Sequence, residues 1–249
     1  MNTHGQCIAV VSGKGGTGKT SLCAAVASCL AAEQQKVLCI DCDVGLRNLD
    51  IPLGMADVAS VTFTSIMRGE YAVSDAPAHP QLPSLSLLTA PVSETPESLS
   101  ADSFGQMLAS AGEAFDWIFL DAPAGIGAGF HLATAFADTA LVVCGGDPAA
   151  MRDASRTSAL LFRSRPNIEA KLIVNRVSVR LYRKMRATID DVMDEVGLPL
   201  LGIVPDDASV TLAAASGTPL IVYTQQGASE ACAHIARRLC GKKAPLMRL

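Results

Sequence analysis

The chain has 249 residues, of which 49% are apolar and 18% are charged, and its formal net charge is -4 at pH 7. This composition supports a large buried core and excludes a disordered chain, and the charge provides no overall attraction to nucleic acid or to an anionic membrane. The N-terminus lacks the basic and apolar regions of a signal peptide, and no apolar run approaches the ~18 residues of a membrane span. Neither export nor a transmembrane anchor is therefore expected.

Short apolar segments alternate with longer helical patterns along the chain, as in a parallel sheet that is covered on both faces. The sequence predicts the α/β class, with a doubly wound, mostly parallel sheet and helices on both faces. One domain is expected over residues 1–241, followed by a short basic tail, 242–249. The predicted strands are CIAVVS (7–12), KVLCID (36–41), LSLLTA (85–90), WIFLDA (117–122), TALVVC (139–144), AKLIVN (170–175), LLGIVP (200–205) and PLIVY (219–223). The predicted helices cover about 19–33, 99–114, 148–164, 185–196, 206–215 and 228–240.

The first predicted strand leads into GKGGTGKT, which fits the phosphate-loop pattern GxxxxGK[ST] and is followed by a helix. Glycines allow successive N–H groups to turn toward phosphates, and the helix N-terminus adds the positive end of its dipole. We expect Lys19 to reach the β and γ phosphates and Thr20 to ligate Mg²⁺. The predicted nucleotide-binding residues here are Gly13, Lys14, Gly15, Gly16, Thr17, Gly18, Lys19, Thr20 and Ser21.

Lys14 is not required by the general pattern, and alone it is as readily an exposed loop residue. However, GKGGTGKT resembles the deviant Walker A motif of the MinD/ParA family of P-loop ATPases. In that family the early lysine crosses a dimer interface and touches the phosphates of the partner's nucleotide. The resemblance implies ATP and Mg²⁺ as cofactors, ATP hydrolysis with Lys14 and Lys19 as catalytic residues, and an ATP-dependent homodimer.

The second predicted strand ends in IDCDVGLRNLD, residues 40–50. Carboxylates at the carboxyl end of a parallel strand face the crevice in which open α/β sheets bind ligands. We expect Asp43 to orient or deprotonate the attacking water and Asp41 to support the magnesium shell, with a turn-capping aspartate pair as the alternative. GLRNLD resembles the first switch segment of the MinD branch, which implies that Arg47, Asn48 and Asp50 contact a dimer partner or an effector; a plain surface loop is the alternative.

Asp121 ends the strand in WIFLDAPAGIG, residues 117–127, at the position of a Walker B carboxylate. We expect it to hold Mg²⁺ through water. The turn at Pro123 and Gly125 resembles the second switch segment of the family, which senses the γ phosphate. Three motifs therefore follow one another in the order that the resemblance requires.

The last two strands of the main pattern end in VNRV and IVPDD. In the family these loops wrap the adenine. The resemblance implies that Asn175 hydrogen-bonds the base, that Arg176 and Pro205 pack on its faces, and that Asp206 belongs to the same pocket. Ordinary loop chemistry is the alternative.

Two further segments concern partners. The segment DPAAMRDASRTSALL (147–161) matches the helix through which MinD-type proteins contact regulators, so we expect a regulator or division-inhibitor protein at Arg152 and Asp153; a solvent-facing helix is the alternative. The basic segment RVSVRLYRKMR (176–186) is interpreted as a solvated surface, and nucleic acid is not an expected partner. A ParA-type DNA-contacting patch is the alternative there.

Eight cysteines lie in apolar segments, without the dense spacing of a small secreted domain. Cys39 and Cys42 form a CxxC motif, and the family also contains iron–sulfur carriers. In those relatives the cluster motif lies near the C-terminus, and a cluster at Cys42 would displace the magnesium chemistry between two aspartates. We therefore expect both cysteines to be packed in the core.

The resemblance covers nearly the whole chain and implies a cytoplasmic ATPase switch that hydrolyses ATP slowly and regulates septum site selection in cell division. It also allows a peripheral position at the inner face of the cell membrane. A DNA-partition or flagellar-number ATPase, which acts on the nucleoid or on a partner protein without direct membrane binding, is the alternative.

The resemblance weakens at the C-terminal sequence GKKAPLMRL. MinD-type proteins bind membranes through a C-terminal amphipathic helix. Lys242, Lys243 and Arg248 supply charge here, but Pro245 leaves only about one turn of helix, which is too little for autonomous insertion. Either the natural chain is longer, or the protein recruits its membrane or partner in another way.

Overall fold

The computed structural model describes residues 5–185 and 188–247 and contains a seven-stranded sheet. Its strands are β1 Gln6–Val11, β2 Val37–Asp41, β3 Leu85–Leu88, β4 Trp117–Asp121, β5 Thr139–Cys144, β6 Glu169–Val177 and β7 Leu200–Pro205. They are ordered β3-β2-β4-β1-β5-β6-β7, and every neighbouring pair is parallel. All the carboxyl ends therefore lie along one edge of the sheet.

The helices connect these strands and cover both faces of the sheet. They are α1 Lys19–Ala32, α2 Asp50–Leu53, α3 Phe63–Met67, α4 Ala101–Ala114, α5 Ala128–Ala135, α6 Pro148–Ser164, α7 Val179–Met185, α8 Ile189–Val196, α9 Ala208–Ala215, α10 Leu220–Tyr223 and α11 Ala228–Leu239. Within the described ranges, none of them combines the length and the apolar character that crossing a bilayer requires.

Successive side chains of each strand enter two different hydrophobic clusters, because the pleat points them to opposite faces. In β1, Cys7 and Ala9 join the cluster that α4, α5, α6 and α8 cover, whereas Ile8 and Val10 join the cluster that α1 and α11 cover. Both faces of the sheet are buried. This explains why its strands are nearly continuous apolar runs in the sequence.

The predicted class and parallel sheet are confirmed, and seven of the eight predicted strands are present. The eighth prediction, PLIVY, is wrong, because Leu220–Tyr223 forms the short helix α10 after Pro219. Leu220 packs into the cluster between α1 and α11, while Val222 and Tyr223 remain 44% and 43% exposed. Packing on the face of the sheet has overridden the strand propensity of a β-branched run.

The helix predicted over 185–196 begins later, at Ile189. Thr188 caps it, because its side-chain oxygen accepts a hydrogen bond from the backbone N–H of Asp191. The basic segment upstream forms a separate helix, α7, whose Tyr182 is buried. Arg186, the last residue of the predicted basic segment, lies outside the described residues.

The tail lies against the domain as far as it is described. Lys242 Nζ is 2.9 Å from Glu33 Oε2, and Arg238 Nη2 donates to the carbonyl oxygen of Ala244 at 2.9 Å. Met247 packs against the hydrophobic cluster of α1 and α11. Arg248 lies outside the described residues.

The contact between β7 and α11 provides a test of the packing. A Cβ atom at Gly202 would lie 2.3 Å from Cγ1 of Ile235. We expect Gly202→Ala to lower the free energy of unfolding by about 1–3 kcal/mol, because the added methyl group forces a shift in a closely packed interface. Urea denaturation followed by circular dichroism measures this change.

The matched control removes the Ile235 side chain that the new methyl group would contact. Ile235→Ala alone should cost about 2–5 kcal/mol through the cavity it creates. The double variant should be less destabilised than the sum of the two single variants, because the new methyl group enters that cavity. Simple additivity would contradict this account of the interface.

Candidate functional site

The candidate site lies at the carboxyl edge of the sheet, where two cavities meet. One cavity, of about 350 Å³, is bordered by most of the glycine-rich loop and by Asp43 and Leu46. The other, of about 170 Å³, lies between the start of α1 and the ends of β6 and β7. Gly18 and Ser21 border both cavities. Together they form a continuous groove, with a more open end at the loop and a more enclosed end beside β7.

The glycine-rich loop, residues 13–18, joins β1 to α1. Gly18 has a φ of 82°, and a Cβ atom there would lie 2.5 Å from Nδ2 of Asn175, so only glycine fits. No side chain among the described residues caps the N-terminus of α1. The first N–H groups of the helix are therefore available to an anion in the groove.

Lys19 and Asp121 form a buried ion pair at the start of α1 and the end of β4. Nζ of Lys19 is 2.5 Å from Oδ1 of Asp121, and the two residues are 6% and 1% exposed. Burial raises the pKa of Asp121 to about 6; the charge of Lys19 opposes this increase, whereas Asp41 adds to it. Because Lys19 Nζ is also 3.4 Å from Thr20 Oγ1, the ammonium group lies beside two of the three predicted magnesium-binding side chains, Thr20 and Asp121.

Asp41 lies opposite Asp121 in the register of β2 and β4, but its carboxylate is directed to the loop that follows β2. Oδ1 accepts a hydrogen bond from the backbone N–H of Asp43 at 2.9 Å. Oδ2 accepts from the N–H groups of Asn48 and Leu49 at 2.9 and 3.0 Å. Both oxygens are therefore engaged with the backbone, which differs from the metal-supporting role that the sequence predicts.

Asp43 borders the larger cavity and is half-buried. Burial raises its pKa and the charge of Asp41 raises it further, whereas Lys19 lowers it. Its carboxylate makes no hydrogen bond within the part of the chain that the structure describes. A free carboxylate with a raised pKa at this position is suited to accept a proton from a water molecule in the groove.

The first switch segment is held mainly by its own residues. Arg47 has a φ of 43°, and its Nε donates to Oδ2 of the buried Asp50 at 2.9 Å. Asn48 is exposed, and Leu46 is 68% exposed. Arg47 and Asp50 thus stabilise the loop. Leu46 projects from it, and the sequence alone does not distinguish Leu46 from Leu49 of the same motif, which is buried.

The predicted base-contacting residues are brought together at the smaller cavity, which Asn175, Arg176, Pro205 and Asp206 all border. Asn175 Nδ2 donates one of its two hydrogens to the carbonyl oxygen of Thr17 at 2.8 Å, so Oδ1 and the second N–H are left for a ligand. Arg176 Nη1 donates to the Gly16 carbonyl at 3.2 Å. The base end of the groove is thus tied directly to the phosphate loop.

Lys14 is half-exposed, and its Nζ lies 3.5 Å from Oδ1 of Asp147. The same oxygen accepts a hydrogen bond from the N–H of Ala150 and caps α6. The Asp-Pro pair predicts a helix start, but nothing in the sequence predicts this contact with Lys14. Further along α6, Asp153 lies against the loop, since a Cβ atom at Gly13 would be 2.5 Å from its carbonyl oxygen.

The residues that border the larger cavity, together with Asp121, have the chemistry to bind a magnesium nucleotide. Thr17 Oγ1 is buried without a hydrogen-bond partner among the described residues. Among the same residues no three His, Cys, Asp or Glu side chains form a metal-binding group, so the ion would depend on Thr20, Asp121 and phosphate oxygens. One or two protein ligands combined with substrate phosphates and waters is the usual arrangement for Mg²⁺.

The CxxC cysteines are both fully buried, but on opposite faces of the sheet. Cys39 belongs to the cluster of α1 and α11, whereas Cys42 belongs to the cluster of α4 and α6. Burial raises the pKa of each thiol. The predicted packing of both side chains in the core is confirmed.

Three comparisons place this site among known proteins. Residues 8–220 match the CobQ/CobB/MinD/ParA nucleotide-binding domain. The septum site-determining protein MinD of Synechocystis is 35% identical over 243 residues, which are 96% of this chain and 91% of that protein. The MinC:MinD cell division protein complex of Aquifex aeolicus matches with a TM-score of 0.89 and 31% identity, covering 98% of both chains. The Pyrococcus furiosus cell division ATPase MinD matches with a TM-score of 0.82 and 26% identity, covering 95% of this chain and 99% of that one.

The buried ion pair generates a prediction for the protein without nucleotide. Asp121→Asn should lower the free energy of unfolding by about 3–5 kcal/mol, because it leaves the ammonium group of Lys19 buried without its counter-charge. Urea denaturation at neutral pH measures the loss.

The control replaces both partners. Lys19→Met combined with Asp121→Asn removes the buried charge together with its partner and should recover most of the lost stability. A double variant that is as unstable as Asp121→Asn alone would mean that the pair is not the cause.

Proposed function

Because the chain belongs to the CobQ/CobB/MinD/ParA nucleotide-binding family, we propose that it is an ATP-dependent dimerising switch that resets by slow ATP hydrolysis. The protein is an ATPase of the MinD type, and its role is the regulation of septum site selection in cell division. Residues 1–241 act as one ATPase domain in this proposal, which is supported by the single sheet and by the position of the groove at its edge.

One observation carries the proposal: the groove combines an anion-binding loop, a buried cation and a free carboxylate. Lys19 and the N–H groups at the start of α1 bind the phosphates, while Asp43 faces the same cavity. Thr20 and Asp121 would hold a magnesium ion, which would neutralise charge on the phosphate oxygens. Asp43 orients the water that attacks the γ phosphate and accepts its proton, while the bond between the γ phosphorus and the bridging oxygen breaks and ADP leaves with that oxygen.

The enclosed end of the groove takes the adenine. Asn175 donates one of its two amide hydrogens to Thr17, which fixes the orientation of the amide group and leaves its carbonyl oxygen as an acceptor in the pocket. This oxygen can accept a hydrogen bond from the exocyclic amino group of adenine. Arg176 and Pro205 border the space on either side, with Asp206 paired to Arg176 at 3.5 Å.

The dimer partner covers the open side of the groove. Leu46 in the first switch segment is 68% exposed, and Ile126 in the second is 49% exposed. Lys14 is half-exposed, and all three residues belong to loops at the carboxyl edge of the sheet. Lys14 leaves Asp147 and contacts the nucleotide of the partner subunit. Nucleotide binding and assembly are thereby coupled.

A regulator or division-inhibitor protein binds α6 in this proposal. The Aquifex relative is a complex of MinD with MinC. On α6 of this chain, Arg152 and Arg156 are exposed and make no ion pair within the described residues, while Asp153 lies against Gly13 of the phosphate loop. A partner on the outer face of α6 would therefore contact a helix that itself packs against the phosphate loop.

The protein works in the cytoplasm and, when dimeric, as a peripheral protein at the inner face of the membrane. Dimerisation doubles the number of weak membrane contacts, so that two tails bind together where one does not. The tail must first leave Glu33, to which Lys242 binds.

The roles of the three charged residues are separable. Lys19→Ala should abolish ATP-dependent dimerisation, because the phosphates lose their buried cation. Asp43→Ala should dimerise normally in Mg·ATP and lose hydrolysis by at least about 10²-fold, the contribution typical of a general base. Light scattering and phosphate release, measured on the same samples, test both. Equal loss of the dimer in both variants would contradict the assignment.

Membrane binding is tested with the Asp43→Ala protein, which holds ATP. We expect it to sediment with anionic vesicles in Mg·ATP several-fold more than in Mg·ADP, because only the dimer presents two tails. Lys243→Glu reverses an exposed charge that makes no ion pair within the described residues, and it should reduce this fraction. Protein that dimerises but stays in the supernatant, or that binds DNA at low salt instead, would favour the partition-type alternative.

A further inference from the structure

The loop between β2 and α2 is closed into a ring by one carboxylate. Asp41, 1% exposed, accepts a hydrogen bond from Asp43 near the start of the loop and from Asn48 and Leu49 near its end. The remaining N–H groups of residues 42–47 bond to carbonyl oxygens: Cys42 to Asp121, Val44 to Cys42, Gly45 to Pro91, and Leu46 and Arg47 to Asp43. Every amide from 42 to 49 is therefore satisfied, and Asp41 alone satisfies three.

Two of the three bonds to Asp41, those from Asn48 and Leu49, join the two ends of the loop. The bonds of Val44, Leu46 and Arg47 span at most four residues and would form in an isolated turn. The bonds to Asn48 and Leu49 span seven and eight residues and return the chain to the end of β2. Buried N–H groups that lose an acceptor are costly, so the loop depends on this carboxylate for its shape.

A carboxylate offers about four acceptor positions, and the backbone takes three of those of Asp41. Little capacity remains for a metal shell. The same loop carries Asp43, whose own carboxylate has no hydrogen-bond partner among the described residues and whose position is therefore set by its backbone.

We infer that Asp41 is a positioning residue: it holds the loop 42–49 in one conformation and thereby places Asp43 in the groove, instead of serving as a ligand in the magnesium shell. The catalytic part of this inference rests on the proposed ATPase switch, in which Asp43 orients water. The structural part, the ring itself, does not depend on any nucleotide.

The first test is hydrogen exchange by NMR on the protein without nucleotide. Asp41→Asn keeps the size of the side chain but replaces one acceptor oxygen by a donor. We expect the amides of Asn48 and Leu49, or that of Asp43, to exchange at least about tenfold faster, the loss typical of a hydrogen bond to a charged acceptor. Asp43→Asn is the matched control and should leave these amides unchanged. Unchanged exchange in Asp41→Asn would overturn the inference.

The second test needs only the natural side chains, and it applies even if Asp41→Asn fails to fold. The amides of Asn48 and Leu49 should keep their slow exchange, within about twofold, when Mg·ADP binds to the unmodified protein. Exposure of these amides by Mg·ADP, but not by ADP with a chelator, would show that the carboxylate moves to the metal and would overturn the inference.

A third readout separates positioning from metal binding during turnover. Asp41→Asn should lower kcat while leaving the magnesium concentration for half-maximal activity unchanged; a raised magnesium requirement with a normal kcat would overturn the inference. Failure of the proposed function appears differently, as an unmodified protein that neither binds nor hydrolyses ATP, and in that case the exchange results still decide the role of Asp41.

Discussion

The structure at the carboxyl edge of the sheet depends on the compensation of its carboxylates by one buried ammonium group and by backbone N–H groups. Asp41 and Asp121 end neighbouring strands and are each 1% exposed, and the half-buried Asp43 follows Asp41 by two residues, so three carboxylates lie close together. Such crowding is costly unless each charge is compensated. Lys19 compensates Asp121 through an ion pair, and three backbone N–H groups compensate Asp41. A ligand that draws Lys19 toward its phosphates must therefore supply another positive charge beside Asp121, as a magnesium ion does.

The phosphate loop is also the point at which the surrounding elements meet. The N–H of Gly125 in the second switch segment donates to the carbonyl oxygen of Ser12 at 3.2 Å, and Asn175 and Arg176 of β6 donate to Thr17 and Gly16. A small shift of this loop displaces all of these elements, because close-packed contacts transmit displacement. Nucleotide at the loop can thus bias the second switch segment and the end of β6 through direct contacts.

Local patterns in the sequence were sufficient to predict most of the residues that form the groove. The loop GKGGTGKT and the aspartates at strand ends follow from short-range rules, since parallel strands bring their carboxyl ends to one edge whatever their order. The contacts of Asp41 and of Lys14 did not follow, because they depend on loop conformation and on a helix 133 residues away in the chain. PLIVY was mispredicted for a related reason: its β-branched residues suit a strand, and only the position of α1 and α11 shows that Leu220 is needed on the face of the sheet.

The exposed residues at the mouth of the groove explain why assembly can be conditional. Leu46 and Ile126 are two isolated apolar side chains, too few to hold two copies together by themselves at roughly 1.5–3 kcal/mol for each fully buried side chain. Lys14 adds a positive charge that would oppose the close approach of a second Lys14 unless negative charge lies between them. In the proposed dimer, two phosphate groups between the subunits would provide that charge. An interface with little apolar area and like charges at its centre is therefore unfavourable alone and becomes favourable with an anionic ligand, which is the physical basis of a switch.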